Sequence, residues 1–120
     1  MIRGVKFASI PVADQDQAIA FYTEKLGFRL LTDAPFDGKQ RWVELGIPSA
    51  ETRVVLFRTD QGPQPGGFMN VTFWAEDVEA TAAELAARGV EFVSPATKAP
   101  WGTFAIFKDC EGNRFVLSSR

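Results

Sequence analysis

The stretch Phe7-Ala-Ser-Ile-Pro-Val-Ala-Asp14 has a counterpart later in the chain, Asn70-Val-Thr-Phe-Trp-Ala-Glu-Asp77. Each stretch begins one copy of the same pattern, which is an apolar strand, an Asp, a helical segment, a Gly and an apolar restart. Asp14 and Asp77 predict helix N-caps, because a carboxylate there can accept an orphan amide of the first turn. The Gly after each helix predicts its left-handed end. An internal repeat of this kind indicates a fold built from two equivalent units.

Three further strands are expected after each helix, at about Phe28–Pro35, Arg41–Gly46 and Thr52–Arg58 and then at about Val90–Ser94, Thr103–Phe107 and Arg114–Ser118. The order β-α-β-β-β therefore occurs twice. We predict a single α+β domain over residues 1–120, with repeat 1 at about 5–60 and repeat 2 at about 68–120. A linker rich in Gly and Pro is expected between them, at about 61–67.

Composition excludes several classes of partner. The chain has 120 residues, of which 46% are hydrophobic and 23% charged, as in ordinary globular domains. A net charge of −2 argues against nucleic acid, which needs a basic surface. The apolar runs are too short for a membrane span, and the first residues lack the apolar core of a signal peptide. Because the one cysteine, Cys110, cannot form an internal disulfide, we expect a cytoplasmic protein.

Four segments match the pattern of a known superfamily: Ile10-Pro-Val-Ala-Asp14, Ala20-Phe-Tyr-Thr-Glu-Lys-Leu-Gly-Phe28, Trp74-Ala-Glu-Asp-Val-Glu79 and Lys108-Asp-Cys-Glu-Gly-Asn-Arg-Phe-Val-Leu117. With them the chain resembles the vicinal oxygen chelate superfamily, which contains glyoxalases, bleomycin-resistance proteins and extradiol dioxygenases. The resemblance implies that each repeat forms a curved mixed sheet of four strands and that the sheets surround a cleft. It also implies a homodimer, since single-domain members commonly build the cleft from two copies.

Enzymes of that superfamily hold a divalent ion with one side chain from each of four strands. Carried over by alignment, these positions are Phe7, Leu56, Asn70 and Val116. Only Asn70 could donate to a metal, through one neutral amide oxygen, whereas catalytic zinc needs about three nitrogen, sulfur or carboxylate ligands. We therefore expect no metal ion, no other cofactor and no metal-dependent glyoxalase or dioxygenase activity.

Other routes to catalysis are few. The chain contains no histidine, so a Ser-His or Cys-His nucleophile pair cannot form. Glu44, beside Trp42 on a predicted strand, is a weak catalytic candidate. It would be a buried general base of raised pKa or, in the plainer interpretation, an exposed strand carboxylate. Tyr22 lies on the apolar stripe of the first helix and is expected in the core.

Strand alternation divides the predicted sheets into two faces. If Phe7, Asn70 and Val116 point into the cleft, then residues two positions away do so as well. The predicted ligand-binding residues are Phe7, Ser9, Trp42, Leu56, Arg58, Asn70, Thr72, Trp74, Trp101, Phe104, Arg114 and Val116. The opposite parity gives an apolar face for the helices to cover, made of Ile10, Val12, Val55, Phe57, Val71, Phe73, Phe115 and Leu117. Arg58 and Arg114 could hold a ligand carboxylate or could be solvated strand ends.

Three functions are compatible with this pattern. The first is a metal-free binding protein that sequesters an aromatic or cationic, antibiotic-like molecule in a dimer cleft. The second is a metal-free lyase or isomerase-type enzyme that uses polar cleft residues such as Glu44, Asn70 or Arg58. The third is a dimeric accessory protein with a vestigial cleft, against which the polar residues Ser9 and Thr72 argue. We favour the first, because aromatic walls with a few polar groups suit a small-molecule pocket.

Overall fold

The computed structural model describes residues 1–38, 40–58, 62 and 64–120. The chain divides into two compact units, Met1–Pro65 and Gly66–Arg120, and each contains one four-stranded sheet. The predicted α+β class with two mixed sheets is confirmed. Of the predicted linker, residues 61 and 63 lie outside the described residues.

The first unit follows the order β-α-β-β-β. Its elements are β1 (Phe7–Pro11), α1 (Gln15–Ala20) continued by a π-helical segment (Phe21–Lys25), β2 (Arg29–Pro35), β3 (Arg41–Gly46) and β4 (Arg53–Phe57). The strands are arranged β1-β4-β3-β2. Strands β1 and β4 are parallel, and the other pairs are antiparallel. The last strand of the repeat therefore lies beside the first.

The second unit repeats this topology. Its elements are β5 (Phe68–Trp74), α2 (Val78–Ala87), β6 (Phe92–Ala99), β7 (Gly102–Lys108) and β8 (Arg114–Ser118), arranged β5-β8-β7-β6. Strand β6 begins later than predicted because the amide of Val90 donates to the carbonyl of Leu85, at 3.0 Å, and so closes the helix. It also runs past its predicted end at Ser94, with shifts of register against β7 that accommodate the extra residues.

Both helices begin where the sequence predicts. The carboxylate of Asp14 accepts a hydrogen bond from the amide of Gln17 at 3.0 Å, and Asp77 makes the equivalent bond at 2.9 Å. Gly27 and Gly89 follow the helices with φ of 79° and 95°, a backbone region that suits a residue without a Cβ. Within the described residues, no helix is long and apolar enough to cross a membrane.

The first helix was predicted to include Tyr22, but the π-helical form of the segment Phe21–Lys25 was not predicted. In it, the amide of Leu26 donates to the carbonyl of Phe21 at 3.4 Å, one residue farther than in an α-helix. The hydroxyl of Thr23 donates to the carbonyl of Ile19 at 2.7 Å, a type of bond that bends helices. Phe21 and Tyr22 are both buried, so the prediction that Tyr22 belongs to the core is confirmed.

Strand register divides the first sheet into two faces, because paired residues on neighbouring strands share a face. Leu56 pairs with Ile10 on one side and with Val43 on the other. Val54 pairs in the same way with Leu45. All five side chains are buried, as are Ala18 and Tyr22 of the helical segment. We call this the helix-covered face and the opposite one the open face, which carries Phe7, Ser9, Trp42, Glu44, Arg53, Val55 and Phe57.

The prediction of which β4 side chains point to the open face is therefore wrong by one residue. Leu56, predicted to line the cleft, lies on the helix-covered face and has no exposed surface. Val55 and Phe57, predicted for the helix-covered face, lie on the open face. Arg58 follows the end of β4, two residues after Leu56. It therefore has the parity of Leu56 and not that of Phe7. The strand is apolar towards both faces, so only its pairing with β1 and β3 determines its parity.

In the second unit the predicted parity agrees with the register. Phe73 pairs with Leu117, and Phe107 pairs with Phe115. The ring of Phe73 lies 5.2 Å from that of Phe115 and 6.2 Å from that of Phe107. This is the helix-covered face of the second sheet. Its open face carries Phe68, Asn70, Thr72, Trp74, Phe104, Ile106, Lys108, Arg114, Val116 and Ser118.

Candidate functional site

The open face of the first sheet carries four aromatic rings in mutual contact. The ring of Trp42 lies at the centre of this aromatic cluster, 5.4 Å from Phe7, 5.7 Å from Phe36 and 6.2 Å from Phe57. Phe36 and Phe57 also touch each other, at 6.1 Å. Rings at these separations attract one another. Because Phe36 is 56% exposed, part of the aromatic cluster is open to a flat ligand.

Glu44 lies next to the aromatic cluster, and its carboxylate is buried. The residue is 7% exposed. Arg53 Nη1 donates to its Oε2 at 2.5 Å, and Trp42 Nε1 donates to its Oε1 at 3.1 Å. These hydrogen bonds, that from Arg53 above all, hold the pKa of Glu44 below its usual value; the charges of Arg53 and Lys6 help, whereas burial acts in the opposite direction. Glu44 is therefore an anion with both oxygens engaged.

Each of the two sequence interpretations of Glu44 is wrong on one point. The carboxylate is not exposed, and its pKa is lowered and not raised. A general base works best when its pKa lies near the working pH, so this carboxylate is a poor proton acceptor. The signal that sequence reasoning missed is Arg53, which stands diagonally from Glu44 on the neighbouring strand. That relation exists only once the register of β3 and β4 is known.

Arg53 is a charged residue of the open face that the sequence analysis did not name. It pairs with Phe7 across β1 and β4, which places it at the edge of the aromatic cluster. Its side chain is 50% exposed, while the carboxylate that it binds is almost fully buried. The ion pair therefore presents its positive end to solvent.

Arg58, which the sequence analysis did name, lies in a separate groove beside the start of α1. The groove has a volume of about 450 Å³, and Asp14, Asp16 and Arg41 are among its lining residues. Arg41 forms ion pairs with Asp16, at 2.7 Å, and with Asp33, at 2.9 Å. The hydrogen bond between Arg41 and Asp16 lowers the pKa of the carboxyl and raises the pKa of the guanidinium. The groove is polar and lacks the rings of the aromatic cluster.

The open face of the second sheet carries exposed aromatic side chains beside arginines. Trp74 is 53% exposed, and the guanidinium carbon of Arg120 lies 4.9 Å from its ring centroid. Arg114 lies 5.8 Å from the ring of Phe68 in the same way. Both contacts have the geometry of cation–π attraction. The predicted site residues that share this face are Asn70, Thr72, Trp74, Phe104, Arg114 and Val116.

Trp101, also predicted for the site, is held by one of these residues. It lies in the turn between β6 and β7 and is exposed. Its ring stacks on that of Phe104, with centroids 5.6 Å apart and an interplanar angle of 26°. Phe104 pairs with Ser118 and so belongs to the open face, which places Trp101 at the border of that face.

The positions that bind metal in enzymes of the vicinal oxygen chelate type do not fit a metal ion here. By register the position on β4 is Val55, which pairs with Ser9 as Val116 pairs with Thr72. This reassignment of the β4 position from Leu56 to Val55 does not alter the conclusion about metal binding, because neither side chain can donate to an ion. In the part of the chain that the structure describes, no three His, Cys, Asp or Glu side chains are grouped closely enough to hold one.

Comparison with known proteins identifies the family. The family model of the Glyoxalase/Bleomycin resistance protein/Dioxygenase superfamily matches residues 4–117. The chain belongs to this superfamily. The resemblance stated from its motifs is thereby confirmed. The present chain is 34% identical to YetH, an uncharacterized protein of Bacillus subtilis, and the match covers 98% of each chain.

Two solved structures show how far the likeness extends. A member of the superfamily from Sphaerobacter thermophilus is 33% identical, with a TM-score of 0.92 over 99% of this chain and 98% of that one. TnmS3, an antibiotic binding protein from Streptomyces sp. CB03234, is 34% identical, with a TM-score of 0.87 over 98% and 96% of the two chains. The glyoxalase/bleomycin-resistance fold is therefore present over the whole length of the chain.

Proposed function

We propose that this protein binds a small aromatic or cationic organic molecule of the antibiotic type, without a metal ion, as a cytoplasmic homodimer. The aromatic cluster of Phe7, Phe36, Trp42 and Phe57 carries the proposal, because it offers partly exposed aromatic surface on the sheet face opposite α1. TnmS3, which is similar over nearly its whole length, is an antibiotic binding protein, and this supports a binding role for the same scaffold.

The aromatic cluster suits binding because its rings already hold one another. A ligand ring stacked on such a surface gains roughly 0.5–1.5 kcal/mol per aromatic contact beyond the area that it buries. Rings that are fixed before binding lose little conformational freedom when the ligand arrives. The exposed hydroxyl of Ser9 on the same face adds a polar group that could orient a ligand.

The homodimer is proposed because both open faces leave large apolar side chains exposed. Phe36 is exposed in the first unit, and Phe68, Trp74 and Trp101 are exposed in the second. Apolar surface of this kind on a single chain marks a contact with another molecule. A second copy of the chain would cover it, as in the single-domain proteins that this chain resembles. The lone Cys110 suits the reducing cytoplasm.

The state of Glu44 weighs against a metal-free lyase or isomerase on the same face. Its lowered pKa and its two hydrogen bonds leave it unsuited to accept a proton from a substrate. Binding requires no such step, so it is the function that these contacts support best.

The test combines native mass spectrometry with calorimetric titration of untagged protein. We expect an assembly of twice the 13.2 kDa chain mass and saturable binding of at least one compound from a panel of planar aromatic antibiotics. Trp42→Ala should abolish binding because it removes the centre of the aromatic cluster. Leu31→Ala, which truncates an exposed apolar side chain outside the cluster, is the matched control. Equal binding by both variants, or one divalent ion per chain, would refute the proposal.

A further inference from the structure

We infer that the ligand of this site is a planar aromatic molecule carrying an anionic group, such as a carboxylate, and that Arg53 is the residue that binds this group. The inference rests on the proposed function and narrows it, because that function alone admits a cationic ligand equally well. It follows from the sign of the charge that each open face presents.

The first sheet offers a ligand a positive group and no accessible negative one. Three charged residues, Arg29, Glu44 and Arg53, stand at strand positions of its open face. The side chain of Glu44 is almost fully buried and binds Arg53 and Trp42 through its two oxygens. The guanidinium of Arg53 is half exposed. The remaining strand positions of this face are uncharged: Phe7, Ser9, Pro11, Thr32, Ala34, Trp42, Gly46, Val55 and Phe57.

The guanidinium of Arg53 is well placed for a planar anion. It has five N–H donors in a flat fork, and Nη1 is directed to Glu44. Among the described residues Glu44 is its ion-pair partner, which leaves donors at the exposed end of the fork. Because Arg53 pairs with Phe7, a ring stacked on the aromatic cluster would bring a carboxylate on its edge to this fork. The ion pair with Glu44 limits the freedom of the side chain, so less entropy is lost on binding.

The open face of the second sheet, taken by itself, also presents positive charge. Its open-face strand positions carry Arg114 and Lys108 and, within the described residues, no Asp or Glu, although Lys108 is paired at 3.1 Å with the carboxylate of Glu91, which lies just before β6. The rings of Phe68 and Trp74 already have arginines over them, which opposes a further cation at the same ring faces. The arginines of both open faces therefore favour an anionic aromatic ligand over a cationic one.

Three probes with one carbon skeleton separate ligand charge from ring stacking: anthracene-9-carboxylate, 9-anthracenemethanol and 9-(aminomethyl)anthracene. Their dissociation constants are measured by calorimetry on the full chain at low and at high ionic strength. We expect the carboxylate to bind roughly tenfold more tightly than the alcohol, and the ammonium compound more weakly than the alcohol. The advantage of the carboxylate should shrink as salt is added.

Two variants assign the effect to Arg53. Arg53→Gln should weaken carboxylate binding roughly tenfold and leave the alcohol unchanged. The double variant Arg53→Gln/Glu44→Gln should do the same without leaving a buried charge unpaired. Arg58→Gln is the matched control, because it removes the same charge near the same strand, but at the opposite end and on the side of the polar groove.

The outcomes separate this inference from the proposed function. If no anthracene binds, both fail. If the alcohol and the ammonium compound bind as tightly as the carboxylate, or if Arg53→Gln and Arg58→Gln act alike, the proposed function stands and the anionic ligand is wrong. Circular dichroism shows whether each variant is folded, and the comparison of probes on the unaltered protein decides the ligand charge even where a variant is not.

Discussion

Replacing Phe73 or Trp74 by Ala tests the division of the second sheet into two faces. The two residues are neighbours on β5, so their side chains point to opposite sides of the sheet while the backbone context stays the same. Phe73 packs against two buried rings, those of Phe107 and Phe115. Trp74 is more than half exposed, and its ring is in contact with Arg120.

The magnitudes follow from these contacts. Truncating a core Phe costs about 3–5 kcal/mol, and because Phe73 keeps some exposed surface we expect about 3–4 kcal/mol for Phe73→Ala. Trp74→Ala removes a cation–π contact of about 0.5–1 kcal/mol and some strand propensity, for a total of about 1–2 kcal/mol. The difference of about 2 kcal/mol is a factor of roughly 30 in the folding equilibrium constant.

Urea unfolding followed by far-UV circular dichroism measures both changes without depending on the fluorescence of the tryptophan that is removed. Both variants should keep the slope of the unaltered protein, because the surface exposed on unfolding hardly changes. If Trp74→Ala destabilised the protein as much as Phe73→Ala, the assignment of the two faces would be wrong.

Two further substitutions test single contacts. The pKa of Glu44 is lowered by folding, so its pairing with Arg53 contributes stability above about pH 4.5 that is lost as the pH falls through the lower folded pKa. Acid should therefore reduce the urea midpoint of the unaltered protein more steeply than that of Glu44→Gln, and parallel curves would contradict the ion pair. Asn113 is fully buried; it donates to Asp109 at 2.9 Å and accepts from the amide of Gly66 at 2.8 Å. Asn113→Ala should cost about 2–4 kcal/mol in calorimetric unfolding because both partners lose a hydrogen bond, and a cost below about 1 kcal/mol would show that water replaces it.

Local signals made the repeat and the superfamily predictable. A helix cap depends on a residue and the amide three positions later, and both caps, at Asp14 and Asp77, appear where predicted. The turn from Asp109 to Asn113 is equally local, since the Asp109 carboxylate accepts amides within the turn itself. Strand β8 alternates between buried and half-buried residues, so its two faces could be read from the residues alone.

The parts of the site that depend on pairing between distant segments were not predictable in this way. Strand β4 has buried residues towards both faces, so its alternation carried no signal and Leu56 was placed on the wrong one. The pairing of Glu44 with Arg53 was missed for the same reason, because a diagonal contact depends on the register between two strands.

The amino-acid sequence by itself therefore determined the two repeats, their caps and turns, and the superfamily, because each depends on interactions between residues close along the chain. Only the tertiary structure decided which side of β4 is open, why the Glu44 carboxylate is buried as an anion, and where a positive charge meets the aromatic cluster. Strand pairing sets these features, and shifting the register by one residue reverses every side chain of a strand.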